Sequence, residues 1–196
     1  MKKVKKRQID NKTILDEFAE KFCSIVDKHA KYIVCSGFVA IAHGRTRGTE
    51  DIDMIIEEIP LKKFIELHRD LLKGGFICMQ SDNPKTIYEN YLKHRESIRY
   101  VMAEEGLFPP EMEVKLVKDS LDEEQLKERI KMPLTGLNIY FSPAEWNIAF
   151  KEELLKSEKD IEDAKHLRII YSSEIDEQKI NEIKNKIRKI RLKNER

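Results

Sequence analysis

One segment limits what this chain can fold into more than any other: YIVCSGFVAIAHGRTRGTEDIDMIIE, residues 32–57. Tyr32-Ile33-Val34-Cys35 is a short apolar strand that Ser36-Gly37 breaks. Phe38 to His43 then reads as a short apolar helix closed by Gly44. After a loop carrying Arg45, Arg47 and Thr49, a second strand spans Asp51 to Glu57. Side chains alternate along a strand, so Asp51 and Asp53 share one face while Ile52 points into the core.

The flanking sequence surrounds this segment with further strands and helices. Upstream, Ile14, Phe18, Phe22, Ile25 and Val26 recur at helical spacing, so an amphipathic helix over 13–29 opens the fold. Downstream, Pro60 starts a helix from Leu61 to Leu72 that Gly74-Gly75 ends, and Phe76 to Gln80 is a strand. Residues 97–103 and 112–117 read as two strands joined by a turn containing Pro109-Pro110. Ser120 with Glu123 is a capping-box pattern for a helix to about Ile130, and Gly136 to Phe141 gives one more strand. Ser142, Pro143 and Glu145 then supply an N-cap, a first-position proline and a reciprocal acid. Helices near 143–156, 159–171 and 176–193 complete the chain, the last with Ile180, Ile183, Ile187 and Ile190 on one stripe.

A strand-rich stretch followed by helix alone predicts an α+β fold. Its parts are a mixed twisted sheet bearing the acids, flanking helices, and a C-terminal helical section closing a cleft. The division expected is residues 1–141 for the core, N-terminal helix included, and 142–196 for the helical section.

Composition narrows the function classes. Of 196 residues, 40% are hydrophobic and 37% charged, enough for a buried core beneath a heavily charged surface. The net charge of +1 gives no overall attraction for nucleic acid, although Lys2, Lys3, Lys5, Lys6 and Arg7 and the run from Lys184 to Arg196 are basic. Such ends could contact RNA phosphates. In the last run, however, cations alternate with Ile187, Ile190 and Leu192, as in a packed helix with a wet outer face. Abundant Glu, Lys and Ile with little Gln fits a thermophile and equally a low-GC genome. Cys23, Cys35 and Cys78 are too far apart for a metal knuckle, so buried reduced thiols are expected. No apolar run approaches the ~20 residues of a membrane span, and the basic start leads into no signal core, so a cytoplasmic location is expected.

The chemistry lies in two features of the 32–57 segment. A helix N-terminus after Ser36-Gly37 offers backbone N–H groups and a partial positive charge to a phosphate. Gly37 permits close approach, and the Ser36 hydroxyl can donate. Taken alone, these residues also suit an ordinary strand-to-helix turn. Asp51 and Asp53 repel each other unless a cation lies between them, and Mg²⁺ takes one or two carboxylates plus phosphate oxygens. Taken alone, they also suit a solvated strand face. Thirteen residues separate Gly37 from Asp51. That is enough for the helix and a return loop, so the turn and the acids can lie side by side at the ends of neighbouring strands.

This order resembles the signature of the DNA polymerase β-like nucleotidyltransferase superfamily. Within it, the stretch is most similar to small proteins related to the abortive-infection (AbiEii-type) toxin nucleotidyltransferases. Ser36-Gly37, His43-Gly44, Arg47, Thr49 and Asp51-Ile52-Asp53 match their segment in order, with Ser36 standing where those relatives carry a first glycine. The resemblance implies a third carboxylate on a later strand. Glu113 is the candidate, replacing the usual Asp, and Glu111 is in phase with it as the fallback. It further implies that Lys151, on a Ser-Pro-x-Glu helix, faces the triphosphate, and that Asp160 and Asp163 cap or brace the helical section.

The expectation is therefore a nucleotidyltransferase. Asp51, Asp53 and Glu113 would hold Mg²⁺ or Mn²⁺ and form the catalytic set; Ser36, Gly37, Arg47 and Lys151 would bind the nucleotide. The substrate is a nucleoside triphosphate. The acceptor stays open among a tRNA end, a protein side chain and a small molecule such as an aminoglycoside, and the resemblance adds an antitoxin as a candidate partner. Two other readings stay open: a catalytically inactive nucleotide-binding or toxin–antitoxin module, and an interaction domain whose acids are merely solvated. His43 is expected to be structural at its helix end, and Trp146 to be core.

Overall fold

The period-two alternation of residues 51–56 becomes the middle of a seven-stranded mixed sheet. A computed structural model of the chain describes residues 12–49, 51–103 and 110–192. The N-terminal basic run, Pro109 and Lys193 to Arg196 lie outside the described residues. The strands are β1 (Tyr32–Cys35), β2 (Asp51–Ile56), β3 (Phe76–Cys78), β4 (Ile98–Met102), β5 (Glu111–Leu116), β6 (Ile130–Lys131) and β7 (Tyr140–Phe141), in the order β3-β4-β5-β2-β1-β7-β6. β2 runs parallel to β5 and antiparallel to β1, while β1 runs parallel to β7. The helices are α1 (Ile14–Val26), α2 (Gly37–Ala42), α3 (Leu61–Lys73), α4 (Pro84–Asn90), α5 (Ser120–Lys127), α6 (Ala144–Phe150), α7 (Glu158–Ile170) and α8 (Glu177–Ile187). π-helical turns, Lys151–Leu155 and Arg188–Leu192, extend α6 and α8.

Alternation sorts the two faces of the sheet. Ile52, Met54 and Ile56 of β2 and Met112, Val114 and Leu116 of β5 enter the main core, with Phe18 and Phe22 of α1, Phe64 of α3, and Ile180 and Ile183 of α8. Burial of each such side chain contributes roughly 1.5–3 kcal/mol. The opposite phase of β1 and β2 supplies only Ile33 and Ile55, which with Val117 and Leu126 form a small separate cluster. The rest of that face is polar and carries the acids.

Several local expectations change for identifiable reasons. Helix α5 is capped by Asp119, whose carboxylate accepts from the N–H groups of Leu121 and Asp122, so the cap lies one residue before Ser120. The strand expected over 136–141 shrinks to Tyr140–Phe141, because Pro133–Thr135 forms a 3₁₀ turn ended by Gly136 at φ 70°. Ser142 does not cap α6: its hydroxyl donates to Gln125 Oε1. Helix α4 was not among the expected elements, although Asn83 caps it and Pro84 holds its first position. Lys184, Lys186, Arg188 and Arg191 pair with Glu152, Glu124, Glu153 and Asp119, so these C-terminal cations are engaged within the fold. Cys23 and Cys78 are buried and Cys35 half-buried, all three free, and Trp146 is core. Among the described residues no helix is long and apolar enough to cross a membrane.

Candidate functional site

The parallel register of β2 and β5 sets Asp51 opposite Glu111 and Asp53 opposite Glu113. Antiparallel β4 brings Arg99 opposite Glu113, and antiparallel β1 brings Cys35 opposite Asp53. Four carboxylates thus occupy neighbouring positions on one sheet face, with two cations among them. Arg99 Nη2 lies 3.3 Å from Glu113 Oε2, its Nε lies 3.6 Å from Glu111 Oε2, and Lys115 Nζ lies 3.6 Å from Asp53 Oδ1. The crowding registers at Asp51. Burial, then repulsion from Asp53 and Glu113, raises its pKa above the usual carboxylate value despite Arg99. Burial and then Asp53 push the Cys35 thiol up to about 12, so it is no thiolate nucleophile at neutral pH.

A cleft of about 330 Å³ opens beside these acids, lined by Ser36, Asp53, Glu113, Lys115, Asn147 and Lys151 among others. Of the sequence-predicted residues it gathers Ser36, Asp53, Glu113 and Lys151; Asp51, Gly37 and Arg47 lie outside its lining.

Ser36 sits between β1 and α2 at φ 64°, ψ −135°. This is the conformation of the first central residue of a type II′ turn, where glycine is ordinarily required. A serine there carries strain of order 1–3 kcal/mol. The departure noted at Ser36 is therefore a real backbone conflict, since the chain keeps a glycine geometry with a side chain in it.

Gly37 has a definable need to be small. A Cβ there would lie 2.9 Å from Arg47 Nη2, so the guanidinium packs on the bare backbone at the start of α2. Arg47 Nη1 in turn reaches Asp163 Oδ2 at 2.5 Å, and Lys151 Nζ reaches the same oxygen at 2.8 Å and Asp160 Oδ1 at 3.1 Å. Arg45 also pairs with Asp163 and donates to the Lys159 carbonyl. Lys151 and Asp163 are 1% and 0% exposed, which makes this a buried charge cluster joining the α2–β2 loop to α6 and α7. Burial lowers the Lys151 pKa, opposed by Asp160 and reinforced by Arg47. Arg47 and Lys151, expected on the triphosphate, are thus held by Asp163, and of the two only Lys151 forms part of the cleft wall.

His43 is structural. Its Nδ1 bonds the Val39 carbonyl at 2.6 Å and its Nε2 the Tyr171 hydroxyl at 2.6 Å. The carbonyl can only accept, so Nδ1 carries the proton and Nε2 accepts from the tyrosine.

The acids offer carboxylate oxygens, the donors a hard divalent cation prefers, and burial followed by repulsion from Asp53 and Glu113 disfavours the Asp51 charge that such a cation would offset. Among the described residues no three Asp, Glu, His or Cys side chains converge on one metal-sized point. Mg²⁺ is ordinarily held by one or two carboxylates and completed by water and substrate phosphates, so a two-acid site fits it. Sequence reasoning passed over two residues here. Arg99 shares the acids' face only through strand pairing, which no local pattern reveals. Asn147 is a polar residue on an otherwise apolar stretch of α6, a signal that could have been used.

No protein-family model and no curated protein sequence matches the chain. Solved structures do share its fold. An antigenic nucleotidyltransferase-like protein from Paracoccidioides brasiliensis superposes with a TM-score of 0.52 at 14% identity, covering 92% of this chain and 90% of that one. The antibiotic-resistance factor ANT(2'')-Ia does so with a TM-score of 0.54 at 14% identity, covering 92% and 94%. At that identity the likeness speaks to architecture. The chain has a nucleotidyltransferase-like fold, with an acid pair on the central strand beside a cleft.

Proposed function

We propose that the protein is a metal-dependent nucleotidyltransferase that moves a nucleoside monophosphate from a nucleoside triphosphate to an acceptor hydroxyl. The observation that carries this reading is the parallel β2–β5 register, which sets Asp53 beside Glu113 at a cleft that Ser36 also lines. The fold shared with nucleotidyltransferase-like proteins supports it at the level of architecture.

In this reading the acceptor oxygen attacks the α-phosphorus, the bond to the β-phosphate breaks, and pyrophosphate leaves. Asp51 and Asp53 would hold Mg²⁺ or Mn²⁺, which supplies charge neutralisation and polarisation of the phosphates. Glu113 accepts the acceptor's proton, directly or through water, once it exchanges its ion pair with Arg99 for that hydroxyl. The Ser36 hydroxyl and the first free N–H groups of α2 receive the phosphates, while Lys151 offsets their charge from the cleft wall. Arg47 acts behind the turn, packed on Gly37. The acceptor class stays among RNA (a tRNA end included), protein and small-molecule hydroxyls, and an antitoxin partner follows only if the abortive-infection kinship holds.

The test is label transfer. Each α-labelled nucleoside triphosphate is incubated with Mg²⁺ or Mn²⁺ and total tRNA or cell extract, beside an Asp53→Asn control. Label on an acceptor with the parent and not with the variant is the expected result. One observation favours a second reading: Glu113 and Asp53 are both engaged by cations, Arg99 and Lys115. A chain that binds nucleotide and transfers nothing with any nucleotide or metal would be a non-catalytic nucleotide-binding module.

A further inference from the structure

Asn147 is 4% exposed, and its side chain bonds backbone groups at both ends of the amide. Its Oδ1 accepts from the Ser36 N–H at 3.2 Å, and its Nδ2 donates to the carbonyls of Ser142 at 2.8 Å and Pro143 at 3.0 Å. The partners fix the orientation of the amide, because an N–H can only donate and carbonyls can only accept. The Ser142 N–H in turn donates to the Val34 carbonyl at 3.0 Å. A ring of bonds therefore leaves β1 at Val34, passes through Ser142 and Asn147, and returns to Ser36 two residues along the same chain. The residue it returns to is the one held at φ 64°.

A strained L-residue persists only where its surroundings over-determine it. We infer that Asn147 is a positioning residue: it locks Ser36 in its glycine-like conformation and so holds the Ser36 side chain in place on the wall of the cleft that would take a nucleotide's phosphates. The inference rests on the nucleotide-binding reading of the site, and it gives a role in affinity to a residue of α6 that the sequence patterns did not single out. Without the clamp, Ser36 relaxes, and binding must restore the strained turn at the expense of affinity. With glycine at that position the turn has no strain to restore, so the clamp matters less.

The test is a two-by-two comparison of Asn147→Ala and Ser36→Gly in the full chain. Titration calorimetry is run with each of ATP, GTP, CTP and UTP in Mg²⁺, and melting is followed in parallel. With Ser36 present, Asn147→Ala is expected to weaken the best-binding triphosphate about tenfold. In the Ser36→Gly background the same substitution is expected to weaken it about threefold or less, because the glycine turn stores no strain for binding to restore. Melting reads the clamp without any ligand: Ser36→Gly raises the melting temperature with Asn147 in place and leaves it nearly unchanged in Asn147→Ala. Equal affinity losses in both backgrounds, or equal melting gains, would overturn the inference. Should Asn147→Ala not fold, hydrogen exchange on the parent decides: the Ser36 amide is expected to be protected as strongly as the β1 amides, and loop-like exchange would overturn the clamp. If the parent binds no triphosphate while the melting pattern and exchange hold, the fault lies with the nucleotide reading and the clamp stands as a structural device.

Discussion

Asp163→Asn is the most informative single change in this molecule. The substitution keeps the shape of the side chain, removes its charge, and turns an NH₂ group toward cations that the carboxylate had accepted from. Asp163 is fully buried and receives Arg45, Arg47 and Lys151. Removing one partner of a buried ion pair costs about 3–5 kcal/mol, because the remaining charge is left without compensation. The three cations differ in their means of escape. Arg45 and Arg47 are 15% and 16% exposed and can turn part-way to water, whereas Lys151, at 1%, cannot. Asp160 remains on Lys151 at 3.1 Å, which places the expected loss near the lower limit, about 3 kcal/mol. For a chain of this length that is roughly a 6–12 °C fall in melting temperature. Urea unfolding followed by circular dichroism gives the free energy directly. Lys151→Met added to Asp163→Asn should recover at least half of the loss, since an apolar side chain removes the stranded charge. A loss below about 1 kcal/mol, or a double variant no more stable than the single one, would refute the claim that this cluster is a buried and mutually dependent set.

Three further outcomes follow from the same geometry. Gly37→Ala should drive the Arg47 guanidinium from its place, since the new Cβ would meet Nη2 at 2.9 Å while Asp163 holds the other nitrogen; urea unfolding should show a loss of about 1–3 kcal/mol, and an unchanged midpoint would contradict the packing described. Asp51→Asn should raise the melting temperature in chelator while removing the proposed transfer, because burial and then repulsion from Asp53 and Glu113 outweigh Arg99 in disfavouring its charge; a fall in stability would contradict that balance. Acid should destabilise the fold through Asp119, Glu152 and Asp160. Burial acts against ionisation at each, but Arg191 at Asp119, Arg168 with Lys184 at Glu152, and Ser157 with Lys151 at Asp160 outweigh it, so the folded pKa values lie below the ordinary 3.8 and 4.5. A depressed folded pKa gives stability that is complete above the unfolded pKa and disappears as pH falls through the folded one. A urea midpoint level from neutrality to about pH 5 and falling below about pH 4.5 is expected; a midpoint already declining at pH 6 would point to other groups.

What the sequence disclosed, and what it hid, divides along the range of the interactions. Asp51, Asp53 and Ile52 were assignable because strand alternation is a property of three consecutive residues, and the same rule put Glu111, Glu113 and Lys115 in one phase. The sheet then had only to set the two strands side by side in parallel, and it does so with Asp53 opposite Glu113. Local rules failed where a tertiary contact competed for the same group. Ser142 carries every mark of an N-cap, yet Gln125, 17 residues away in sequence, takes its hydroxyl. Asp119 beats Ser120 as the cap of α5 because a carboxylate accepts two N–H groups there, and Arg191 then stabilises its charge.

The roles expected for Arg47 and Lys151 show the same limit at the site itself. Both are cations near a phosphate-binding pattern, and although the resemblance gave Asp160 and Asp163 a bracing role, no local pattern shows that Asp163 is buried and takes both cations. Asp163 is 116 residues from Arg47. Its own surroundings, Ile161, Ala164 and Leu167, read as an ordinary amphipathic helix. Once the three are joined, the two cations cannot simply be counted as phosphate ligands. Lys151 can lend its charge to a ligand from the cleft wall while Asp163 and Asp160 hold it, because a buried ammonium acts at short range through a low-dielectric wall. Arg47, outside the cleft lining, acts through Gly37 instead, as the surface against which the first turn of α2 is set. The sequence motif thus contains two kinds of residue that look alike on paper: Asp53 and Ser36, which line the cleft, and Gly37 with Arg47, which fix the geometry of those that do. Substitutions at Asp53 should then remove transfer with little effect on the fold, whereas substitutions at Gly37 or Arg47 should change stability and nucleotide affinity together. That split is measurable on one set of purified variants.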